Sequence, residues 1–186
     1  MDLALVLASA SPRRRELLAR LGANFRVSPA GVDETPRPRE APELLSVRLA
    51  EAKARAVSSD TPVLAADTVV ALDDEALGKP HDAAEAAAML ARLAGREHRV
   101  ITALALRHEG VLSRKTVITR VWFRALGEAE RDVYAAGSEA LGAAGGYAIQ
   151  GGAAAFVTRL LGSYSNVVGL PLAETAGLLR DAGCLA

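Results

Sequence analysis

Leu3-Ala4-Leu5-Val6-Leu7-Ala8-Ser9-Ala10-Ser11-Pro12-Arg13-Arg14-Arg15-Glu16-Leu17-Leu18 lies at the start of this 186-residue chain. The apolar run reads as a buried strand, which two serines and a proline then break. Ser11 is a good N-cap, and Pro12 suits the first helical position because its missing N–H is not needed there. Leu17, Leu18 and Leu21 give the new helix an apolar stripe, and Gly22 ends it. Three arginines therefore fall in the first helical turn, where the positive end of the dipole disfavours cations. An anion docked at that turn reconciles them, because backbone N–H groups, hydroxyls and guanidinium forks together clamp phosphate. Three solvated arginines on an ordinary helix are the alternative; the strand–Ser-x-Ser-Pro–helix context favours phosphate.

Outward from this unit the pattern predicts a short strand at Phe25–Ser28, then a loop holding Pro29, Pro36, Pro38, Pro42, Asp33 and Glu34. A helix is expected over Glu43–Val57, its stripe formed by Leu45, Leu49, Ala52 and Ala56 with Lys53 at the edge. Val63–Leu72 reads as a strand interrupted by Asp67, followed by a turn at Asp73-Asp74-Glu75 and the loop Gly78-Lys79-Pro80. Asp82 and Glu85 resemble a capping box for a helix ending at Gly95. Strands are expected at Val100–Arg107, Val111–Ser113, Val117–Arg124, Tyr147–Gln150 and Ala155–Leu160, and helices near Glu128–Ala136 and Pro171–Ala182. Helix and strand alternate early and strands cluster in the middle. That order predicts an α/β fold whose mixed, partly antiparallel sheet is flanked by helices, as one domain over 1–186 with two lobes around a cleft.

Composition bounds the function. Apolar residues are 51% and charged residues 24%, and 22 basic residues balance 22 acidic ones. A soluble globular protein fits this profile, and bulk nucleic-acid or membrane binding, which calls for a basic excess, does not. The single cysteine, Cys184, excludes a disulfide framework and suits a reducing cytosol. No basic segment precedes the first apolar run, as a signal peptide requires. The charge-free stretch Ala140–Val157 has 18 residues, but five are glycine, too many for a membrane span. The expected location is the cytoplasm.

Asp67 is the sharpest chemical candidate, because a carboxylate inside an apolar strand is costly unless it meets a metal, a cation or donors. Its alternative is a turn or cap. Glu34 alone reads as a solvated loop acid; paired with Asp67 it can hold Mg²⁺ with phosphates, or one of the two can take a proton from water. Lys53 and Lys79 can counter phosphate charge, although a lysine at a stripe edge more often snorkels. Lys79 is not in a Walker A loop, since Asp73 stands where glycine is required and Pro80 where Ser or Thr is. Gln150 carries an amide that can accept from a ring N–H and donate to a carbonyl, as uracil or thymine requires. His81, His98 and His108 lack metal-ligand spacing and read as structural or surface residues.

Together Leu7-Ala8-Ser9-Ala10-Ser11-Pro12-Arg13-Arg14, Ala66-Asp67-Thr68, Gly78-Lys79-Pro80, Ala144-Gly145-Gly146-Tyr147-Ala148-Ile149-Gln150-Gly151 and Gly162-Ser163-Tyr164-Ser165-Asn166-Val167-Val168-Gly169-Leu170-Pro171 resemble the Maf family of nucleoside triphosphate pyrophosphatases. The resemblance implies a fold similar to inosine triphosphate pyrophosphatases and cleavage between the α and β phosphates with Mg²⁺ or Mn²⁺. It makes Ser9, Arg13, Arg14, Lys53 and Lys79 phosphate ligands and Asp67 the proton acceptor, with Glu34 assisting at the metal or the water. Arg13, Thr68 and Gln150 match the dTTP/UTP branch. A 7-methyl-GTP branch carries Gln after the aspartate and an acidic stretch near Gln150. Inosine or xanthosine triphosphate hydrolysis, and a nucleotide-binding regulator of septum formation with little catalysis, are the other readings. A homodimer is a candidate assembly. The chain departs from the family pattern at Ala65, where glycine is common, and at Gly142-Ala143, where Asp-Lys is common.

Overall fold

The computed structural model describes residues 5–185; Leu3 and Ala4 of the first apolar run lie outside the described residues. The chain begins with β1 (Leu5–Leu7), α1 (Pro12–Ala19), β2 (Phe25–Val27), α2 (Pro42–Ala56), β3 (Val63–Leu72) and β4 (Glu75–Leu77). It continues with α3 (Ala83–Leu93), β5 (Glu97–His108), β6 (Val111–Phe123), α4 (Glu128–Ala135) and α5 (Ser138–Leu141). Two 3₁₀ turns then lead to β7 (Val157–Leu161), α6 (Tyr164–Val168) and α7 (Leu172–Asp181). The strands form one mixed sheet in the order β2-β1-β3-β5-β6-β7, with β4 paired to β3. β1 runs parallel to β2 and β3, and the remaining pairs are antiparallel.

The local signals act as expected at the helix starts. Ser11 accepts from the Arg14 N–H at 3.4 Å with Pro12 at the first helical position. Asp82 accepts from Glu85 N at 2.8 Å, while Glu85 reaches back to His81 N at 2.7 Å. Such caps satisfy N–H groups that have no partner within the helix.

Three expectations change. Asp67 does not interrupt β3, which stays in register through it, opposite Ala103 of β5. The two strands expected within 111–124 are one, because Arg114, Lys115 and Thr116 pair with Ala105, Leu104 and Ala103 while their polar side chains face outward. Tyr147–Gln150 is not a strand. Gly145 and Gly146, both at φ 71°, turn the chain ahead of it, and Gly151 N bonds back to Ala148 O at 3.0 Å.

β3 threads between separate cores. Val63 and Ala65 pack with Ala50, Ala54 and Val57 of the α2 side, while Leu64 and Ala66 pack with Leu17, Leu18 and Leu179 on the opposite face. Farther along, Val70 and Leu72 join Leu90, Leu93, Phe123 and Phe156 in another cluster. Asp67 and Thr68 sit at the seam. The sheet is also open there, since β1 pairs with β3 only at Val63 and Leu64 and β4 only from Val70 onward. The chain leaves β1 at Ser9 to enter α1, so a cleft opens beyond the carboxyl end of β1. Ligands of open α/β sheets bind in such gaps.

Candidate active site

Alternation along β3 decides what each seam residue meets. Asp67 shares the face of Val63 and Ala65, toward α2, and Thr68 shares the face of Leu64 and Ala66, toward α1. On α2, Lys53 follows Leu45 and Leu49 at four-residue steps, which places it in the buried stripe and not at its edge. Its ammonium therefore does not snorkel to water. It bonds Asp67 Oδ1 at 2.7 Å and Glu34 Oε1 at 2.6 Å, so one buried lysine spans both candidate carboxylates. The Asp67 side chain is 8% exposed and the Glu34 side chain 52%, so the first contact is an interior ion pair and the second reaches the cleft.

The surroundings set the protonation of these groups. Burial raises the Asp67 carboxyl above its ordinary value, and the Lys53 and Arg14 charges oppose that shift without reversing it. Burial also pushes Glu34 up, but its bond to Lys53 and the charges of Lys53, Lys79 and Arg14 outweigh this and hold it below the usual range. Two carboxylates beside one lysine are thus driven in opposite directions by unequal burial.

Arg14 is anchored on the other face. Its Nε donates to Gly169 O at 2.9 Å, Nη1 to Ser9 Oγ at 3.3 Å and Nη2 to Thr68 Oγ1 at 3.0 Å. Burial lowers its pKa, with Asp67 working in the opposite direction; a guanidinium stays charged regardless. Arg13 instead crosses the mouth of the cleft and donates from Nη2 to Gly142 O at 2.7 Å, at the position where the Asp-Lys pair of the family pattern is absent. Arg15 is exposed.

The cleft has a volume of about 470 Å³, and its walls include Ser9, Arg13, Arg14, Glu34, Lys53, Thr68, Lys79 and Gln150. Pockets for small molecules have this scale. Asp67 lies just behind that wall, screened by Lys53. Gln150 is exposed on the far wall, on the turn Ala148–Gly151, beside the buried Tyr147. His98 lies under Tyr147, its Nε2 2.8 Å from the phenol oxygen, and burial depresses its pKa to about 4. It is a neutral core histidine, in line with the sequence reading.

One supporting residue, Thr102, was not singled out in the sequence, and the Ser163–Asn166 motif was quoted there without a structural role. Thr102 lies under Thr68 at 2.9 Å and donates to Asn166 O at 3.1 Å. Asn166, fully buried, donates to Val100 O and Thr119 Oγ1, each at 3.0 Å. Ser163 caps α6 through Asn166 N at 3.2 Å. The Gly162–Pro171 motif thereby fixes the loop whose Gly169 carbonyl holds Arg14. Thr102 stands opposite Thr68 across β3 and β5, a pairing that no local sequence pattern signals.

Among the described residues no group of three or more His, Cys, Asp or Glu side chains converges on a metal site. Two carboxylates that already share one cation, Lys53, fit an ion completed by substrate phosphates better than an all-protein cage. No helix among the described residues is long and apolar enough to cross a membrane.

An open sheet edge, a seam carrying a buried acid and a cleft walled by four basic side chains define an α/β protein built to hold a polyanion. The chain belongs to the family described as Maf-like protein, which it matches over residues 4–182. It is 58% identical over 184 residues to a dTTP/UTP pyrophosphatase of Myxococcus xanthus (strain DK1622), covering 96% of this chain and 92% of that one. It is 54% identical to a dTTP/UTP pyrophosphatase of Anaeromyxobacter dehalogenans (strain 2CP-1 / ATCC BAA-258), covering 96% and 94% of the two chains. A dTTP/UTP pyrophosphatase of Cereibacter sphaeroides is 50% identical over 182 residues, covering 96% and 95%.

Proposed function

We propose that this protein hydrolyses dTTP and UTP to the nucleoside monophosphate and pyrophosphate, as the names of its relatives state for them. The observation that carries the reading is the Lys53 bridge between Asp67 and Glu34 at the back of a cleft walled by Arg13, Arg14 and Lys79. In-line attack of water on the α-phosphorus forms a new P–O bond and breaks the bond to the bridging oxygen, releasing pyrophosphate. Charge gathers on phosphoryl oxygens during that exchange, so fixed cations supply most of the stabilisation. Arg14, held at three points, needs little reorganisation to do this. Lys79 and Arg13 meet the β and γ phosphates from the open side.

Asp67 takes the proton of the attacking water. Its Oδ1 is committed to Lys53, which leaves Oδ2 as the acceptor. Burial raises its basicity above that of an ordinary aspartate, which suits a base that must work near neutrality. Glu34, half-exposed at the cleft, would hold Mg²⁺ or Mn²⁺ together with substrate oxygens, with Asp67 as its further ligand whenever it is not taking the proton, and the ion would supply charge neutralisation at the triphosphate. Gln150 reads the base from the far wall. One sheet brings residues from β1 to α6 to this cleft, which supports reading 1–186 as one domain; the cytoplasm is the proposed location. A homodimer is part of the same proposal.

The test is pyrophosphate release from dTTP, UTP, dCTP, GTP, ITP, XTP and 7-methyl-GTP with and without Mg²⁺ or Mn²⁺, repeated with Asp67→Asn. The reading expects dTTP and UTP to be preferred, and Asp67→Asn to lose turnover by orders of magnitude while still binding nucleotide. No release from dTTP or UTP overturns the substrate assignment, and full turnover by Asp67→Asn removes Asp67 as the base.

A further inference from the structure

The turn that carries Gln150 is held from outside the cleft by two residues that do not line it. Tyr134, near the end of α4, accepts from Ala148 N at 3.0 Å and donates to Glu139 Oε2 at 3.1 Å. Glu139, on α5, accepts from Gly152 N through the same oxygen at 3.0 Å. The two bonds therefore clasp the turn on either side of Gln150. Tyr134 is itself braced edge-on by Phe156, with ring centroids 5.0 Å apart. Gly151 completes the clasp: a Cβ there would fall within 2.5 Å of the Glu139 carboxyl carbon. Its φ of −115° is not in the left-handed region, so the space for the carboxylate calls for glycine, not the backbone conformation.

We propose that Tyr134 and Glu139 are positioning residues for base recognition, which fix the backbone of the turn and so the place on the cleft wall from which Gln150 reads uracil or thymine. The inference rests on Gln150 reading the base in a nucleoside triphosphatase. Uracil offers an N3–H donor flanked by carbonyl acceptors, whereas cytosine offers an N3 acceptor beside an amino donor. A turn held in place sets which of these edges the Gln150 amide reaches, and a freed turn relaxes that choice. Burial, the main influence on the Tyr134 phenol, pushes it up to about 12, so it remains a donor to Glu139 through the working pH range.

The experiment measures kcat and KM for UTP and CTP in the parent, Glu139→Ala, Glu139→Gln and Gly151→Ala, with melting temperatures alongside. Glu139 is exposed, so folding should survive its loss. Glu139→Ala should lower the UTP-over-CTP ratio of kcat/KM by about tenfold, the worth of one hydrogen bond at the upper end of the ordinary range. The change should appear mainly in KM. Gly151→Ala should do the same by pushing the carboxylate off Gly152 N, and Glu139→Gln should retain the parent ratio because its amide oxygen still accepts. An unchanged ratio in Glu139→Ala, or a tenfold fall in Glu139→Gln equal to that of alanine, overturns the positioning role while the parent's activity leaves the proposed function standing. A parent that neither turns over UTP nor binds a nonhydrolysable UTP analogue by calorimetry overturns both.

Discussion

Replacing Lys53 by methionine keeps most of the side-chain volume and removes the cation between Asp67 and Glu34. Glu34 is half-exposed and loses a contact worth at most about 1 kcal/mol. Asp67 is buried and is left with an unpaired charge, for which the usual cost is about 3–5 kcal/mol. Protonation limits that cost. Holding a carboxyl of ordinary value 3.8 neutral at pH 7 costs about 4 kcal/mol, and the figure falls by about 1.4 kcal/mol for each pH unit lowered. With the folded value raised above the unfolded one, stability is complete below about pH 3.8 and is lost as pH rises from there through the folded value. Lys53→Met, in which Asp67 is raised further, should therefore unfold more easily than the parent by up to about 4 kcal/mol at pH 7 and by no more than about 1.5 kcal/mol at pH 5. Urea titrations followed by far-ultraviolet circular dichroism and by the single tryptophan, Trp122, measure both differences. At neutral pH the melting temperature should fall by up to roughly 16 °C. Adding Asp67→Asn to Lys53→Met should recover much of the loss. An equal penalty at pH 5 and pH 7, or no recovery in the double variant, would refute the buried-pair reasoning.

The acid limb of kcat/KM should lie above 3.8, because burial raises Asp67, and a pH–rate profile with a limb at or below that value would contradict a buried base. Arg14→Lys should lower kcat/KM by about 10- to 100-fold, since an ammonium cannot keep the three-point hold on Gly169, Ser9 and Thr68; steady-state kinetics with dTTP check this. Gly145→Ala should destabilise by about 1–3 kcal/mol, because its φ of 71° and a Cβ 2.9 Å from Val70 Cγ1 both oppose a side chain. Chemical denaturation measures that loss, and a stable Gly145→Ala protein would show that the close approach to Val70 relaxes.

Local rules account for a definite share of the molecule. The strand–Ser-x-Ser-Pro–helix start, the Asp82–Glu85 cap and the strand expected at Val117–Arg124 were legible because each depends on neighbours within a helical turn or on the period of a strand. Asp67 was legible as a costly charge in an apolar run, and the five motifs in order were enough to place the chain in its family. The rest needed the tertiary structure. Lys53 passed for a residue at the edge of its helix until the packing of α2 on β3 put its ammonium on Asp67. Arg114, Lys115 and Thr116 looked like a break until β5 supplied their partners. Tyr147–Gln150 looked like a strand, yet its backbone bonds go to Tyr134 and to its own turn. The sequence by itself determined which residues are apolar, which segments start and stop, and which charges are out of place. Only the tertiary structure decided which distant groups answer those charges. The reason is that the register of the sheet and the gap between β1 and β4 are set by packing of the whole chain, and no local period encodes them.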